Sequence, residues 1–175
     1  MLDSPAPAGE ACPSPSHAGW TAGAVARGIG RLFARNDTWC LAEMPLPPRS
    51  GMAGRRADLM GIDGKGQVVI VEIKVSRADL LGDGKWTDYL DHCDRFYWGL
   101  PPQLDRACLD QPGFMPDCCG VIVADGYDGE IVRPAPARPL AAARRKGEIE
   151  RLARVALRRQ LIGADPHCAA WGGLD

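Results

Sequence analysis

The segment from Arg56 to Val75 is the part of this sequence that most constrains the fold. Two apolar runs flank the sequence Asp63-Gly64-Lys65-Gly66, whose composition is typical of a tight turn between paired strands. We therefore predict a β-hairpin with strands over 56–62 and 67–75. With the loop centred on Lys65, the opposed pairs are Ile62 with Val68, Met60 with Ile70, and Asp58 with Glu72.

The last of these pairs brings two carboxylates together, and Lys74 shares the face of Glu72 because side chains alternate along a strand. Like charges directly opposite each other are unfavourable, and the apolar run before Glu72 adds a desolvation cost. A hard divalent cation held by both carboxylates and a backbone carbonyl would relieve the repulsion. The alternative is a solvated ion pair between Glu72 and Lys74, worth about 0–1 kcal/mol, with Asp58 nearby only by chance.

The spacing of apolar residues predicts the other elements. Helices are expected from about Ala22 to Arg35-Asn36, over 85–93 and over 140–161; further strands are expected over 39–44, 96–100 and 120–124, with an edge strand over 130–133. Residues 45–55 and 76–84 are expected to be connecting loops. A three-stranded meander followed by helix, strand, strand and helix indicates a mixed β-sheet flanked by helices, which is an α/β fold.

Length and composition fit one domain. A chain of 175 residues with 46% hydrophobic residues can bury a sizeable core. Residues 1–19 are rich in proline and small residues and predict a disordered tail, which leaves a domain over 20–165 and a C-terminal tail over 166–175. No apolar run approaches the roughly 20 residues that span a bilayer, so we expect a cytoplasmic protein. Seven irregularly spaced cysteines argue against a disulfide framework and a structural zinc site.

Positive charge is concentrated near the end of the domain. Residues 133–160 contain nine basic and two acidic residues. Projection of the last predicted helix places a stripe of arginines opposite an apolar face of Ile149, Leu152, Ala153 and Ala156; the stripe comprises Arg144, Arg151, Arg154 and Arg158. One interpretation is a solvated face that keeps the protein soluble. The other is a track for the phosphate backbone of DNA, with salt-sensitive affinity and no base readout.

The pattern of Asp58 followed by Glu72-Ile73-Lys74 resembles the motif of the PD-(D/E)XK nuclease superfamily, with Ala57 where the motif has proline. The surrounding sequence resembles the MmcB-like family of bacterial DNA repair proteins over about residues 20–165. The segments that carry this likeness are Arg55 to Lys74, Asp83 to Tyr89, Cys93 to Tyr97 and Val123 to Tyr127. The resemblance implies a restriction-endonuclease-like mixed β-sheet flanked by helices, and a metal-dependent DNA nuclease that acts in repair.

The resemblance also implies roles for individual residues. Asp58, Glu72 and the Ile73 carbonyl would hold Mg²⁺ or Mn²⁺, and Lys74 would orient the attacking water. Many of these nucleases carry Gln-x-x-x-Tyr on a helix beside the site, which Lys85-x-x-x-Tyr89 resembles. Lys85 would then bind the scissile phosphate or fix Asp58, and Tyr89 would bind a phosphate oxygen. The alternative is a surface lysine and a half-buried tyrosine.

Two further expectations complete the site and its partners. Glu43, at the end of the first strand, is a candidate for an additional metal ligand. The expected partners are DNA and other repair proteins, and no membrane association is expected. The sequence leaves open whether the protein forms a homodimer. The alternative function is a non-catalytic DNA- or protein-binding component of a repair complex that retains the nuclease fold.

Overall fold

The computed structural model describes residues 20–48 and 54–171 of the chain. The predicted N-terminal tail, residues 49–53 of the predicted loop and the last four residues lie outside this part. A six-stranded mixed sheet with helices packed on its faces confirms the α/β prediction.

The elements follow the predicted order. The helices are α1 (Ala22–Arg35), α2 (Arg77–Gly82) and α3 (Ala142–Ala164). The strands are β1 (Thr38–Leu46), β2 (Arg55–Asp63), β3 (Val68–Ile73), β4 (Arg95–Leu100), β5 (Cys119–Ala124) and β6 (Gly129–Arg133). Short 3₁₀ helices cover Trp86–Asp91, Ala107–Asp110, Pro112–Phe114 and Pro166–Trp171.

The strands are ordered in space as in the chain, from β1 at one edge to β6 at the other. Strands β1, β2 and β3 form an antiparallel meander, β3 to β5 are parallel, and β6 returns antiparallel. The predicted hairpin register is confirmed at Ile62 with Val68 and at Met60 with Ile70. In the turn, the Asp63 Oδ1 atom accepts hydrogen bonds from two backbone N–H groups, and Gly66 has a φ of 74°, which favours glycine.

Two apolar clusters lie on opposite faces of the sheet. On one face α1 buries Val25 and Ile29, and Gly28 allows a close approach, since a Cβ atom there would lie 2.2 Å from the Asp125 carbonyl oxygen. The other face is covered by α3 and by the 3₁₀ helix over Trp86–Asp91. Four aromatic side chains are buried in these clusters: Trp86, Phe96, Tyr97 and Trp98.

Three local predictions are wrong. The loop expected over 76–84 contains α2, whose first turn is capped by the Ser76 side chain accepting from the Asp79 N–H at 3.2 Å. The helix expected over 85–93 is a 3₁₀ helix of six residues. Pro45, expected in a loop, is part of β1, an edge strand on which a missing N–H donor is tolerated. None of the described helices is both long enough and apolar enough to cross a membrane.

Candidate active site

Asp58 lies where the ladder between β2 and β3 stops. The last paired residues are Leu59 and Val71, one pair short of Asp58 and Glu72. Asp58 instead accepts a hydrogen bond from the Ile73 N–H through its Oδ2 atom, at 2.6 Å. Burial raises the pKa of this carboxyl, with the Ile73 hydrogen bond and the charge of Lys74 acting against it. The side chain thus replaces a backbone acceptor and is fixed at the end of β3.

Glu72 is buried beside Asp58, with 7% of its surface exposed. Its Oε1 atom accepts a hydrogen bond from the Lys74 Nζ atom at 3.1 Å. Its Oε2 atom is buried and finds no hydrogen-bond partner among the described residues. Burial and the charge of Asp58 raise the pKa of Glu72 to about 7, although Lys74 opposes the change. The pair therefore carries negative charge that the surrounding protein only partly compensates.

Lys74 is buried among carboxylates. Its backbone N–H donates to the Gly99 carbonyl at 2.9 Å, which fixes the chain against β4. The Nζ atom lies 2.9 Å from the Asp83 Oδ2 atom and 3.6 Å from the Asp79 Oδ1 atom, in addition to the bond to Glu72. Burial acts to lower the pKa of Lys74, but the hydrogen bonds to Asp83 and Glu72 outweigh it and raise the pKa above its usual range. The ammonium group remains charged near neutral pH.

Glu43 lies at the same level of the sheet, across from Asp58. The flanking pairs are Ala42 with Leu59 and Met44 with Ala57, while Glu43 itself has a φ of 53°, in the left-handed region that a glutamate rarely adopts. Such strain occurs most often at functional sites. The Glu43 side chain is half exposed and pairs with the Arg56 guanidinium at 2.5 Å. Glu43 therefore lies near the candidate site, but its carboxylate already has a positively charged partner.

The Glu43 irregularity also changes which side chains face the core. Leu41 and Met44 pack on the same apolar cluster although they are three residues apart, and so do Ala57 and Met60 on β2. In a regular strand, residues an odd number apart point to opposite faces. Both strands therefore change faces next to Asp58.

Tyr89 and Lys85 do not share a face. Tyr89 is buried and its hydroxyl donates to the Arg56 carbonyl at 3.2 Å. Burial raises the pKa of Tyr89, and the Glu72 carboxylate raises it further through its charge and its position within hydrogen-bonding reach of the Tyr89 hydroxyl. Lys85 is exposed and precedes the helix. The α-helix expected over 85–93 would place these two residues, four apart, on one face. The 3₁₀ helix found there instead aligns residues three apart, such as Trp86 and Tyr89.

The residues present fit a hard cation that keeps much of its hydration. Within the described ranges, no three His, Cys, Asp or Glu side chains are grouped closely enough to enclose a metal ion. The available ligands are the carboxylates of Asp58 and Glu72 and the carbonyl of Ile73. The unpartnered Glu72 Oε2 atom is the feature that a bound cation would satisfy. Mg²⁺ commonly binds through one or two carboxylates and several waters.

The arginine stripe of α3 is less free than predicted. The helix docks through Glu148, Leu152 and Val155. Arg151 lies three residues after Glu148 and four before Val155, so it shares their face of the helix. Arg151 consequently faces the protein, where it pairs with Glu148 and donates to the Pro45 carbonyl at 3.2 Å.

The other arginines differ in exposure. Arg144 lies 3.5 Å from an Asp91 carboxylate oxygen, Arg158 is half-buried, and Arg154 is exposed. Arg159, outside the predicted stripe, donates to the carbonyls of Ala42 and Glu43. The DNA-binding role of the stripe remains a prediction.

Sequence reasoning missed two acidic residues. Asp83 fits the pattern of a helix-start or solvent-facing acid, yet it binds Lys74. Ser76-x-x-Asp79, a helix-capping pattern, could have indicated the α2 segment that carries it. Asp94 is fully buried. Its carboxylate accepts hydrogen bonds from the Val68 and Leu140 N–H groups and pairs with Arg145 of α3. No local sequence pattern predicts that Asp94 is buried, because its hydrogen-bond partners are distant in the chain.

Comparison with known proteins assigns the chain to a family. The family model described as "DNA repair protein MmcB-like" matches residues 13–166. A solved structure, the SPO1766 protein of unknown function from Silicibacter pomeroyi, is 37% identical, with a TM-score of 0.67, over 82% of this chain and 90% of that one. None of the curated proteins matches the chain. The match over residues 13–166, most of the chain, shows that this protein belongs to the MmcB-like family of DNA repair proteins.

Proposed function

We propose that this protein is a metal-dependent DNA nuclease of the PD-(D/E)XK type that acts in DNA repair. Membership of the MmcB-like family supports a role in repair. The observation that carries the nuclease proposal is the buried Glu72 carboxylate, which binds Lys74 through one oxygen, lacks a described partner for the other, and lies beside a second carboxylate. A buried carboxylate beside a half-buried one is stabilised by a bound cation.

In this proposal Asp58, Glu72 and the Ile73 carbonyl hold Mg²⁺ or Mn²⁺, with Glu43 as an additional ligand if it releases Arg56. The bound ion would polarise the scissile phosphate and lower the pKa of a water molecule. The Ile73 N–H orients the Asp58 carboxylate, which keeps the acidic pair in place. Glu43, whose backbone has a positive φ, lies on β1 between the pairs that flank Asp58.

Lys74 supplies positive charge beside the reacting phosphate. Its ammonium group has three N–H donors, and Glu72 and Asp83 take two of them. The third can donate to the attacking water or to a phosphate oxygen and stabilise the charge that develops there. Tyr89 orders the site through the Arg56 carbonyl, and the exposed Lys85 contacts the DNA backbone at the rim. Arg144, Arg154 and Arg158 provide sequence-independent contacts to phosphates, and Arg151 supports the helix that carries them.

The test compares wild type with Lys74→Ala and Glu72→Gln. Lys74→Ala should slow Mn²⁺-dependent cleavage on the order of 10²–10³-fold, while Mn²⁺ and DNA binding persist. Glu72→Gln should lose Mn²⁺ binding in titration calorimetry. Lys65→Ala, in the exposed turn at the other end of the hairpin, is the matched control and should behave as wild type. Single-stranded, nicked, flapped and forked substrates belong in the assay.

A second candidate is a non-catalytic DNA-binding component of a repair complex. It is favoured by the two hydrogen bonds that already bind the Lys74 ammonium to Glu72 and Asp83, which leave the cluster partly neutralised without a metal. If wild type binds DNA but neither binds Mn²⁺ nor cleaves any substrate, this function replaces the nuclease.

A further inference from the structure

We propose that Asp83 is a positioning residue that fixes the ammonium group of Lys74, so that the segment over residues 76–84 is part of the site. This inference rests on the proposed nuclease function and adds a residue to it. Its basis is the contact of 2.9 Å between the Lys74 Nζ atom and the Asp83 Oδ2 atom.

Asp83 is the carboxylate best suited to this task. Its side chain is 14% exposed, whereas that of Asp79 is 50% exposed and lies 3.6 Å from the Nζ atom, beyond hydrogen-bond distance. Glu72 also binds the ammonium, but in the proposed mechanism the same carboxylate binds the cation. Asp83 is therefore the partner of Lys74 that has no second task at the metal.

The Asp83 carboxylate is itself held in place. Its Oδ1 atom accepts from the Lys85 N–H at 3.2 Å, which leaves Oδ2 directed at Lys74. The residue ends α2, whose start is capped by Ser76 and whose Leu80 side chain is fully buried in the core. A short helix with one buried anchor and a side-chain cap thus presents the carboxylate in one orientation.

Fixing the ammonium matters because lysine carries it on a flexible four-carbon stem with no intrinsic orientation. With two donors bound, the third is restricted to one direction, which is the condition for a group that must act on a single water or phosphate oxygen. Without Asp83, the Lys74 ammonium would keep its hydrogen bond to Glu72 and only the longer contact of 3.6 Å with Asp79, so it would turn toward Glu72. We expect the rate of the chemical step to suffer, while metal and DNA binding do not.

The kinetic test is a double-mutant cycle with Asp83→Ala, Lys74→Ala and the double variant, measured as Mn²⁺-dependent cleavage. Asp83→Ala should lower kcat on the order of 10–100-fold, with KM and Mn²⁺ affinity essentially unchanged. In the Lys74→Ala background the same change should have no further effect. Asp110→Asn, an exposed carboxylate that pairs with Arg133, is the control and should retain wild-type kcat. A loss in both backgrounds, or an unchanged kcat in Asp83→Ala, overturns the proposal.

A second readout does not depend on catalysis. Wild type and Asp83→Ala, which removes the acceptor, are treated with an amine-acylating reagent, and modification of Lys74 relative to the exposed Lys65 is measured by mass spectrometry. Asp83→Ala should raise Lys74 modification severalfold, and equal modification in the two proteins overturns the proposal. If Lys74 is released but wild type cleaves no DNA, the contact stands and the nuclease function fails.

Discussion

The buried Glu72 carboxylate makes the metal-free protein sensitive to pH in a defined direction. The pKa of Glu72 is raised from its ordinary value of 4.5 to about 7 by burial and by Asp58. The folded state therefore binds more protons than the unfolded state between these pH values, and stability falls as pH rises through that window. This rise in the pKa of Glu72 corresponds to roughly 3 kcal/mol of stability, which is lost at a pH where Glu72 is ionised in both the folded and the unfolded protein.

Glu72→Gln should remove this dependence. Between pH 5 and pH 8 the unfolding free energy of wild type should fall by about 2.5 kcal/mol relative to the variant, which is roughly 5–10 °C in melting temperature for a domain of this size. The substituted glutamine is expected to keep the hydrogen bond from Lys74 through its amide oxygen. The measurement is urea or thermal unfolding at several pH values with a chelator present.

The control for this experiment is Glu150→Gln, an exposed residue of α3 that pairs with Lys146 at 3.7 Å. Its pH profile should be parallel to that of wild type. Addition of Mn²⁺ at pH 8 should restore stability to wild type and have no effect on Glu72→Gln. Parallel pH profiles for wild type and Glu72→Gln would refute the argument from burial.

Three other predictions follow from the packing and the charges. Gly28→Ala should destabilise the protein by about 1–3 kcal/mol, because the new Cβ atom would overlap carbonyls of the β5–β6 turn, whereas Gly30→Ala, which meets nothing within 4 Å, should stabilise α1 by roughly 0.5–1 kcal/mol; chemical denaturation of the pair checks both. Asp94→Asn should cost about 1–3 kcal/mol at pH 7 because an amide NH₂ would replace one carboxylate oxygen and leave a backbone N–H of Val68 or Leu140 without its acceptor. The hydrogen bonds from Arg145 and from these N–H groups lower the pKa of Asp94 against the effect of burial, so this difference should persist above pH 4 and shrink in more acidic buffer; an equal difference at pH 3 would contradict it. Arg154→Ala should reduce the slope of log DNA affinity against log salt by about one at unchanged melting temperature, whereas Arg151→Ala should lower the melting temperature; identical slopes for wild type and Arg154→Ala would place the DNA elsewhere.

The hairpin could be predicted from sequence because its signals are local. A turn sequence between two alternating strands fixes the register, and this register places Asp58 and Glu72 one position beyond the last ladder pair, Leu59 with Val71. The end of the ladder at Asp58 could not be foreseen, because there the Asp58 side chain accepts from the Ile73 N–H, a contact between residues 15 apart that no local pattern indicates. Tertiary contacts of this kind leave no periodic pattern.

The helical parts show where periodicity misleads. Trp86 and Tyr89 suit either an α-helix or a 3₁₀ helix, and over six residues only packing against the aromatic core decides between them. On α3 the projected apolar face is displaced because a buried Glu148, paired with His92 and Arg151, forms part of the docking surface. A projection that treats Glu148 as solvent-exposed therefore assigns the wrong face of α3 to the core.

The arginines that bind the carbonyls of β1 have a consequence for association between molecules. An edge strand offers unpaired backbone groups to any other chain, and this is a common origin of aggregation. Arg159 occupies the carbonyls of Ala42 and Glu43, and Arg151 occupies that of Pro45. The second half of α3 thus shields this edge from strand addition. Loss of these side chains would expose the backbone of this edge strand as well as weaken the fold. Variants that lack Arg151 and Arg159 should therefore self-associate.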